Sequence, residues 1–344
     1  MTAEDRRPQA ANRAPVAHNV TTSDQTVPVP YICMPGSPYA GSTLLGFLLD
    51  AHPACASIGA ATGLTRRVDL ETYTCSCGRA FLRCPFWANV AERTIELGHP
   101  VSVYQTGFWN THVRLSRRRW LNGLLVRSLG PAVATSVRDA TIGNLPPIRR
   151  RLSEARAATW ALSRAVLEAS GKQAFVDTSR DHQRPKYLAP AASLELKAIH
   201  LVRDPRGNTA SIMKHTGVDV RRAARQWRHY NLEADRSSRR LPSDSWLRVH
   251  YEDLCRDPQA TLDEIARFIG VDAAPMPPLD AAEHHIIGNS MRLRSIEAIR
   301  EDQGWHEVLT QDDLAVIARI TGDVSRRLGY PRPPTSTGRT VPSA

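Results

Sequence analysis

Lysine is nearly missing from this chain. Of 45 basic side chains in 344 residues, only Lys172, Lys186, Lys197 and Lys214 are lysine, which leaves 41 arginines. Long apolar runs are missing too. No stretch approaches the roughly 18 consecutive apolar residues of a membrane-spanning helix. The polar N-terminus, MTAEDRRPQAANRAPVAHNVTTSDQTVP, holds no apolar signal core. These absences lead us to expect a cytoplasmic protein with no membrane span. Six cysteines do not suggest a secreted disulfide scaffold. No helix-turn-helix, zinc-finger or RRM pattern is present, so no nucleic-acid partner is expected. What is abundant is positive charge: +11 formally, with a pI near 9.8, which favours an anionic partner. The arginine excess fits phosphate or sulfate recognition through a planar fork, and it fits compositional bias equally well.

Residues 1–27 read as a disordered leader and 333–344 as a short tail. Between them we expect one domain, 28–332. VPVPYICMPG is an apolar run ending in Gly36, the pattern of a buried strand entering a turn. STLLGFLLDAHP follows with helical spacing up to Pro53. Further strands are expected at 173–179, 196–204 and 246–254, and helices at 151–170, 205–214, 219–238, 258–269 and 310–327. The alternation predicts an α/β fold of three layers, a mostly parallel central sheet flanked by helices. An arginine-rich, cysteine-bearing insertion at about 61–150 is expected to be helical.

The loop Gly36-Ser37-Pro38-Tyr39-Ala40-Gly41-Ser42-Thr43 joins the first strand to the first helix. Such a loop directs backbone N–H groups and a helix N-terminus at a phosphate. Its spacing is that of a Walker A loop, but Ser42 stands where the lysine should be, which argues against an ordinary NTP-hydrolysing site. A plain turn rich in small residues is the alternative. The segment G-S-P-Y-A-G-S-T-L-L, with FLLDAHP behind it, resembles the 5′-phosphosulfate loop of sulfotransferases that use 3′-phosphoadenosine-5′-phosphosulfate (PAPS). It departs from that family at Tyr39, where a cation is usual, and at Ala40, where serine is usual.

Two later clusters are similar to the same family. In KAIHLVRDPRGNTASIMKH (197–215), Arg203 ends a strand and Ser211 lies eight residues on, so the two can converge on one anion. The resemblance makes them the 3′-phosphate pair; a salt-bridged arginine and a helix-facing serine are the alternative. In HHIIGNSMRLRSIEAIREDQGW (284–305), Gly288-Asn289 and the basic residues after it resemble a Gly-Asn-x-x-Arg segment that folds over the nucleotide. That maps Asn289, Ser290 and Arg292 onto the donor, with Arg294 as a helper. RVHYEDL resembles a recurrent family strand and brings Tyr251 toward the nucleotide. Leu328-Gly329-Tyr330 fits the family's C-terminal end. The resemblance covers about 28–60 and 172–332.

It implies transfer of SO₃ from PAPS to a hydroxyl or amine of a carbohydrate, lipid or small metabolite, with PAP as product and no metal required. Arg180, in FVDTSRDHQRPKYL, takes the place of a family cation; an ion pair with Asp177 or Asp181 is the alternative. We expect Arg180 and Ser290 to stabilise charge on the transferring group. The base is less plain, because Ala60 stands where many relatives have glutamate. His182 or Asp177 could serve, the acceptor could need little help, or the chain could be an impaired nucleotide binder. His52 reads as structural. A P-loop kinase is disfavoured by the missing lysine and the lack of an evident Walker B aspartate. Cys75, Cys77 and Cys84 leave packing, a disulfide and a metal open, with no fourth ligand adjacent in sequence. Phe108, Trp109 and Trp120 could line an acceptor cleft, or be core.

Overall fold

The structure, a computed structural model, describes residues 27–64, 68–126, 132–276, 284–286 and 298–330. The expected tail (333–344) and, apart from residue 27, the expected leader lie outside these. Five strands form one sheet in the order β2-β3-β1-β4-β5, all neighbours parallel. They are β1 (Val29–Pro35), β2 (Cys55–Ser57), β3 (Ala174–Arg180), β4 (Leu194–Val202) and β5 (Trp246–His250). A parallel sheet needs a crossover between strands and cover on both faces.

Strand periodicity divides the core accordingly. On β1, Val29, Tyr31 and Cys33 join one apolar cluster while Ile32 and Met34 join another. The first cluster takes in Trp87 and Val90 of α2 (Pro85–Glu96) and Trp160 and Leu162 of α5 (Pro146–Ser170). The second takes in Leu44, Leu45 and Leu48 of α1 (Ser42–Asp50), and Leu262 and Ile265 of α10 (Pro258–Ile269). Beyond β4 and β5, α7 (Pro205–Thr216), α8 (Val220–Ser238) and α12 (Gln311–Arg327) pack around Trp227, Ala224, Ile317 and Val324.

Helix starts follow local chemistry. Asp204 caps α7 and Asp257 caps α10, each followed by proline, whose missing N–H and fixed φ suit the first turn. Thr310 and Asp313 form a capping box on α12. Pro146 likewise starts α5 five residues before the expected boundary.

Two expectations are corrected. The strand predicted over 246–254 stops at His250, and α9 (Tyr251–Arg256) begins. Glu252 and Asp253 sit in its first turn, where acidic groups favour a helix N-terminus. The insertion is only partly helical: α2, α3 (Arg119–Val126), α4 (Ala132–Gly143) and the start of α5 are helices, while 97–118 is irregular. Phe81, Trp87, Trp109 and Trp160 share one cluster with Tyr31 and Phe175 of the sheet.

Candidate functional site

Parallel strands share one carboxyl edge, and in open α/β sheets ligands bind there, where the strand order reverses. The chain runs from β3 to β4 across β1. The segments leaving β1, β3, β4 and β5 carry most of the residues singled out above.

The loop 36–43 leaves β1. Gly36 has φ +154°, and a Cβ there would lie 3.0 Å from the Leu201 carbonyl oxygen. Gly41, the N-cap of α1, has φ +99°, and a Cβ would lie 2.6 Å from the Tyr251 ring. Both places exclude a side chain for want of room as well as conformation. Tyr39 is also left-handed, at φ 63°. The loop is pinned to α7. Ser37 Oγ donates to Asn208 Oδ1 at 2.8 Å, and Asn208 Nδ2 donates to the Pro38 carbonyl at 3.0 Å. The Tyr39 ring stacks on His215 at 4.7 Å. Ala40 and Ser42 are buried, and Thr43 follows in the first turn of α1. Asn208 was not singled out in the sequence; its signal was its place inside the 197–215 block.

Arg203 leaves β4, and Ser211 comes to it one face along α7. Arg203 Nη1 donates to Ser211 Oγ at 3.1 Å and to the Tyr39 carbonyl at 3.3 Å. The guanidinium lies 4.6 Å from the centre of the Tyr251 ring. So the loop, the arginine-serine pair and Tyr251 form one contiguous group. Asp302 already meets this group: Arg203 Nη2 donates to its carbonyl at 2.9 Å and to its Oδ2 at 3.1 Å. Burial raises the Asp302 carboxyl, but hydrogen bonds from Arg203 and the Gly304 N–H outweigh it and leave the pKa below the ordinary value.

At the end of β3 the structure separates the charged candidates. Asp177 is buried, and both its oxygens are taken. Oδ1 accepts from the backbone N–H groups of Ala61 (2.9 Å) and Ser179 (3.0 Å). Oδ2 accepts from Tyr31 (2.5 Å) and Ser179 Oγ (2.9 Å) and pairs with Arg184 Nε at 2.6 Å. Asp177 is thus corrected from candidate base to framework. Its ion-pair partner is Arg184, which the sequence did not single out. Arg180 stands beside Pro35 in the ladder, next to the loop, at φ 57°. A non-glycine residue held left-handed costs about 1–2 kcal/mol, strain that a functional position can retain.

His182 lies against α8, its ring edge-on to His229 (5.5 Å) and Tyr230 (5.6 Å). Burial lowers its pKa against the opposing charge of Asp181. Ala60 carries no proton-accepting group. His52 is structural: Nδ1 accepts from the Ala54 N–H, and Nε2 meets the Asp272 carbonyl.

Gly288, Asn289, Ser290, Arg292 and Arg294 lie outside the described residues. Both described flanks of that segment touch the site's frame. Upstream, the Ile286 N–H donates to the Ile58 carbonyl at 3.2 Å and His285 meets Phe47 of α1 edge-on. Downstream, Tyr251 Oη reaches the Arg300 carbonyl and the Asp302 N–H, both at 3.4 Å. Of the three acceptor-side aromatics, Trp109 is core, while Phe108 and Trp120 are exposed. No helix among the described residues is long and apolar enough to cross a membrane.

Residues 149–275 match the profile of the sulfotransferase family. Over 170 residues, 40% of this chain, the sequence is 32% identical to carbohydrate sulfotransferase 1 of Mus musculus and 31% identical to that of Homo sapiens. The match spans 39% of the length of these relatives. Among solved structures, the sulfotransferase domain of the Synechococcus PCC 7002 olefin synthase has a TM-score of 0.45 at 20% identity, covering 89% of this chain and 96% of that one. The sulfotransferase domain of the curacin biosynthetic pathway has a TM-score of 0.44 at 18% identity, covering 89% and 99%. The fold rests on its own strand order rather than on these likenesses. The part of the chain that matches the sulfotransferase family, residues 149–275, carries β3, Arg180, β4, Arg203, Ser211 and Tyr251.

Proposed function

We propose that this chain transfers a sulfuryl group from PAPS to an acceptor hydroxyl or amine, and that the acceptor is a glycan. The observation that carries the donor is the joining of loop 36–43, Arg203, Ser211 and Tyr251 into one group at the sheet's carboxyl edge. The chemistry fits an anion with phosphates at both ends. The loop has no carboxylate, its glycines leave backbone where a Cβ would collide, and the planar guanidinium fork of Arg203 can bind two phosphate oxygens at once. In this reading the loop N–H groups and the start of α1, with Ser42 and Thr43, hold the 5′-phosphosulfate. Arg203 and Ser211 hold the 3′-phosphate after Asp302 yields its place.

The acceptor oxygen or nitrogen attacks sulfur, the bond from sulfur to the bridging phosphate oxygen breaks, and PAP leaves. Arg180 faces the charge that moves, and His182 receives the acceptor's proton. In-line positioning and fixed cations supply the acceleration. A glycan acceptor is favoured by the likeness to proteins named carbohydrate sulfotransferase.

Ala60 favours a second reading, a PAP-binding protein without transfer. Thermal unfolding with PAP, with ATP–Mg²⁺ and with buffer separates the classes. PAP at about 100 Kd should stabilise by roughly 2.7 kcal/mol. A response to ATP–Mg²⁺ with none to PAP would reject the donor. PAP binding without label transfer from radioactive PAPS to a glycan panel would favour the second reading.

A further inference from the structure

The cysteine hairpin of the insertion has a fourth partner that no sequence spacing shows. Cys75, Cys77, Cys84 and His284 bring one ligand atom each to a group in which all four lie within 4.8 Å of one another. Cys77 Sγ is 3.7 Å from Cys84 Sγ. His284 Nδ1 is 3.8 Å from Cys75 Sγ and 3.6 Å from Cys84 Sγ. Zinc–sulfur bonds of about 2.3 Å and zinc–nitrogen bonds of about 2.0–2.1 Å, at tetrahedral angles, give sulfur–sulfur edges of about 3.8 Å and sulfur–nitrogen edges of about 3.6 Å. The three distances, 3.7, 3.8 and 3.6 Å, lie within about 0.2 Å of those edges. A disulfide needs its sulfurs at about 2.05 Å.

We infer that Cys75, Cys77, Cys84 and His284 form a structural zinc site that fastens the 284–286 segment to the 73–84 hairpin. The inference does not depend on the donor reading.

The backbone is arranged for it. Thr74 and Ala80 bridge as an antiparallel pair, and the Cys75 N–H donates to the Arg79 carbonyl at 2.9 Å. Gly78 takes φ +83° so that the turn brings Cys75 and Cys77 to one side. Cys84 is the N-cap of α2, where a thiolate is favoured. The N–H groups of Trp87 and Phe86 face its sulfur, and that of Cys77 faces Cys75; such second partners hold metal-bound thiolates in place.

His284 is delivered by a reciprocal clip. The His285 N–H donates to Ser76 Oγ at 2.8 Å, and the Ser76 N–H to the His285 carbonyl at 3.3 Å. Its ring lies face to face with Phe86, 4.2 Å away and 1° from parallel. Cys77 and His284 line an open cleft of about 380 Å³ with Arg79 and Asn89, which gives the ion a way in and sets a cation beside a cluster of net charge −1. Three sulfurs and one imidazole select zinc over magnesium or calcium, which take oxygen ligands.

The test uses the full chain expressed with zinc and purified without chelator. Elemental analysis should find about one zinc per chain, and mercurial titration should release it. Cobalt(II) exchanged into the wild-type protein should show the charge-transfer and ligand-field bands of tetrahedral thiolate coordination, a readout that needs no variant to fold. Cys84→Ser and His284→Ala should lower zinc affinity at least tenfold, while His284→Cys, which makes a four-sulfur set, should keep the metal. A folded chain with no metal and freely reactive thiols would overturn the inference. A Cys77–Cys84 disulfide found by peptide mapping would overturn it too, as would cobalt spectra without sulfur bands.

Discussion

Removing the Arg203 guanidinium should discriminate between nucleotides that differ only at the 3′ position. In the structure its two terminal nitrogens serve different partners. Nη1 donates to Ser211 Oγ at 3.1 Å, and Nη2 is occupied by Asp302. A 3′-phosphate replacing Asp302 would gain charge-assisted hydrogen bonds, each worth about 1.5–3 kcal/mol. At about 1.4 kcal/mol per tenfold, Arg203→Ala should weaken PAP binding by roughly 10- to 150-fold. Binding of 5′-AMP, which lacks that phosphate, should change by no more than about threefold on the same scale. Arg203→Lys keeps the charge but loses the fork, so it should fall between. The substitution also removes the stacking on Tyr251, worth about 0.5–2 kcal/mol, and a pair with the exposed Asp302 carboxylate, worth about 0–1 kcal/mol. Titration calorimetry should therefore be run well below the variant's melting temperature and at fixed salt. Equal losses for PAP and AMP would refute the assignment of Arg203 to the 3′-phosphate.

Four further outcomes follow from named contacts. Asp302→Asn should tighten PAP binding severalfold by removing a competing carboxylate, on the order of 1 kcal/mol; weaker binding in the same calorimetry would mean that Asp302 helps to hold the ligand. Breaking the Asp177–Arg184 pair with Arg184→Met leaves a buried charge and should cost about 3–5 kcal/mol in denaturant unfolding, and a loss under about 1 kcal/mol would show the pair to be dispensable. Gly41→Ala must meet the Tyr251 ring at 2.6 Å in a left-handed backbone, so it should lose about 2–4 kcal/mol and most PAP affinity; shortening the ring with Tyr251→Leu should relieve the clash but not the backbone strain. Burial lowers the His200 pKa to about 4, with the Asn231 hydrogen bond opposing and the Arg248 charge adding to the lowering. Its neutral form is then the folded form, so its contribution is complete above about pH 6.5 and is lost as pH falls toward 4; urea midpoints across that window should slope less in His200→Gln than in the wild type.

The parts of the site legible in the sequence are those whose signals are local. An apolar run, a glycine loop and a helix with an early stop announced β1, loop 36–43 and α1. Arg203 and Ser211 were legible because a strand end and the second turn of the next helix meet at fixed spacing. The strand at 246–254 was misread past His250 because apolar spacing carries no mark of where a helix begins; the acidic pair Glu252 and Asp253 was the available sign. β2 went unread because three residues make no pattern. Contacts across many residues left no trace. Arg184 reaches Asp177 and Tyr31 inside the core, and in the sequence it is one of 41 arginines. His284 meets Cys75 across 209 positions. Whether Arg180 paired with Asp177 was undecidable from spacing; geometry gives Asp177 to Arg184.

The absence of lysine in the loop has a physical counterpart in where the charge is placed. A Walker A lysine brings a point charge to the β- and γ-phosphates from within the loop. Here the loop is neutral, and Tyr39 in the usual cation position stacks on His215. Positive charge enters instead from the ends of neighbouring strands, with Arg203 at β4 and Arg180 at β3. Both strands are hydrogen-bonded to β1, so their arginines are spaced by the sheet and not by the loop's own conformation. Strands lie about 4.8 Å apart, which sets two cations roughly 10 Å apart at the backbone with the loop between them. On the proposed donor, that frame would suit an anion charged at both ends better than a triphosphate whose charge gathers at a single end. The frame is braced from below: Asp177, which precedes Arg180 within β3, is held by Tyr31 of β1 and Arg184 of α6 (Arg184–Leu188). Loss of that brace should therefore disturb the Arg180 side of the site before the Arg203 side, because β4 takes no part in it.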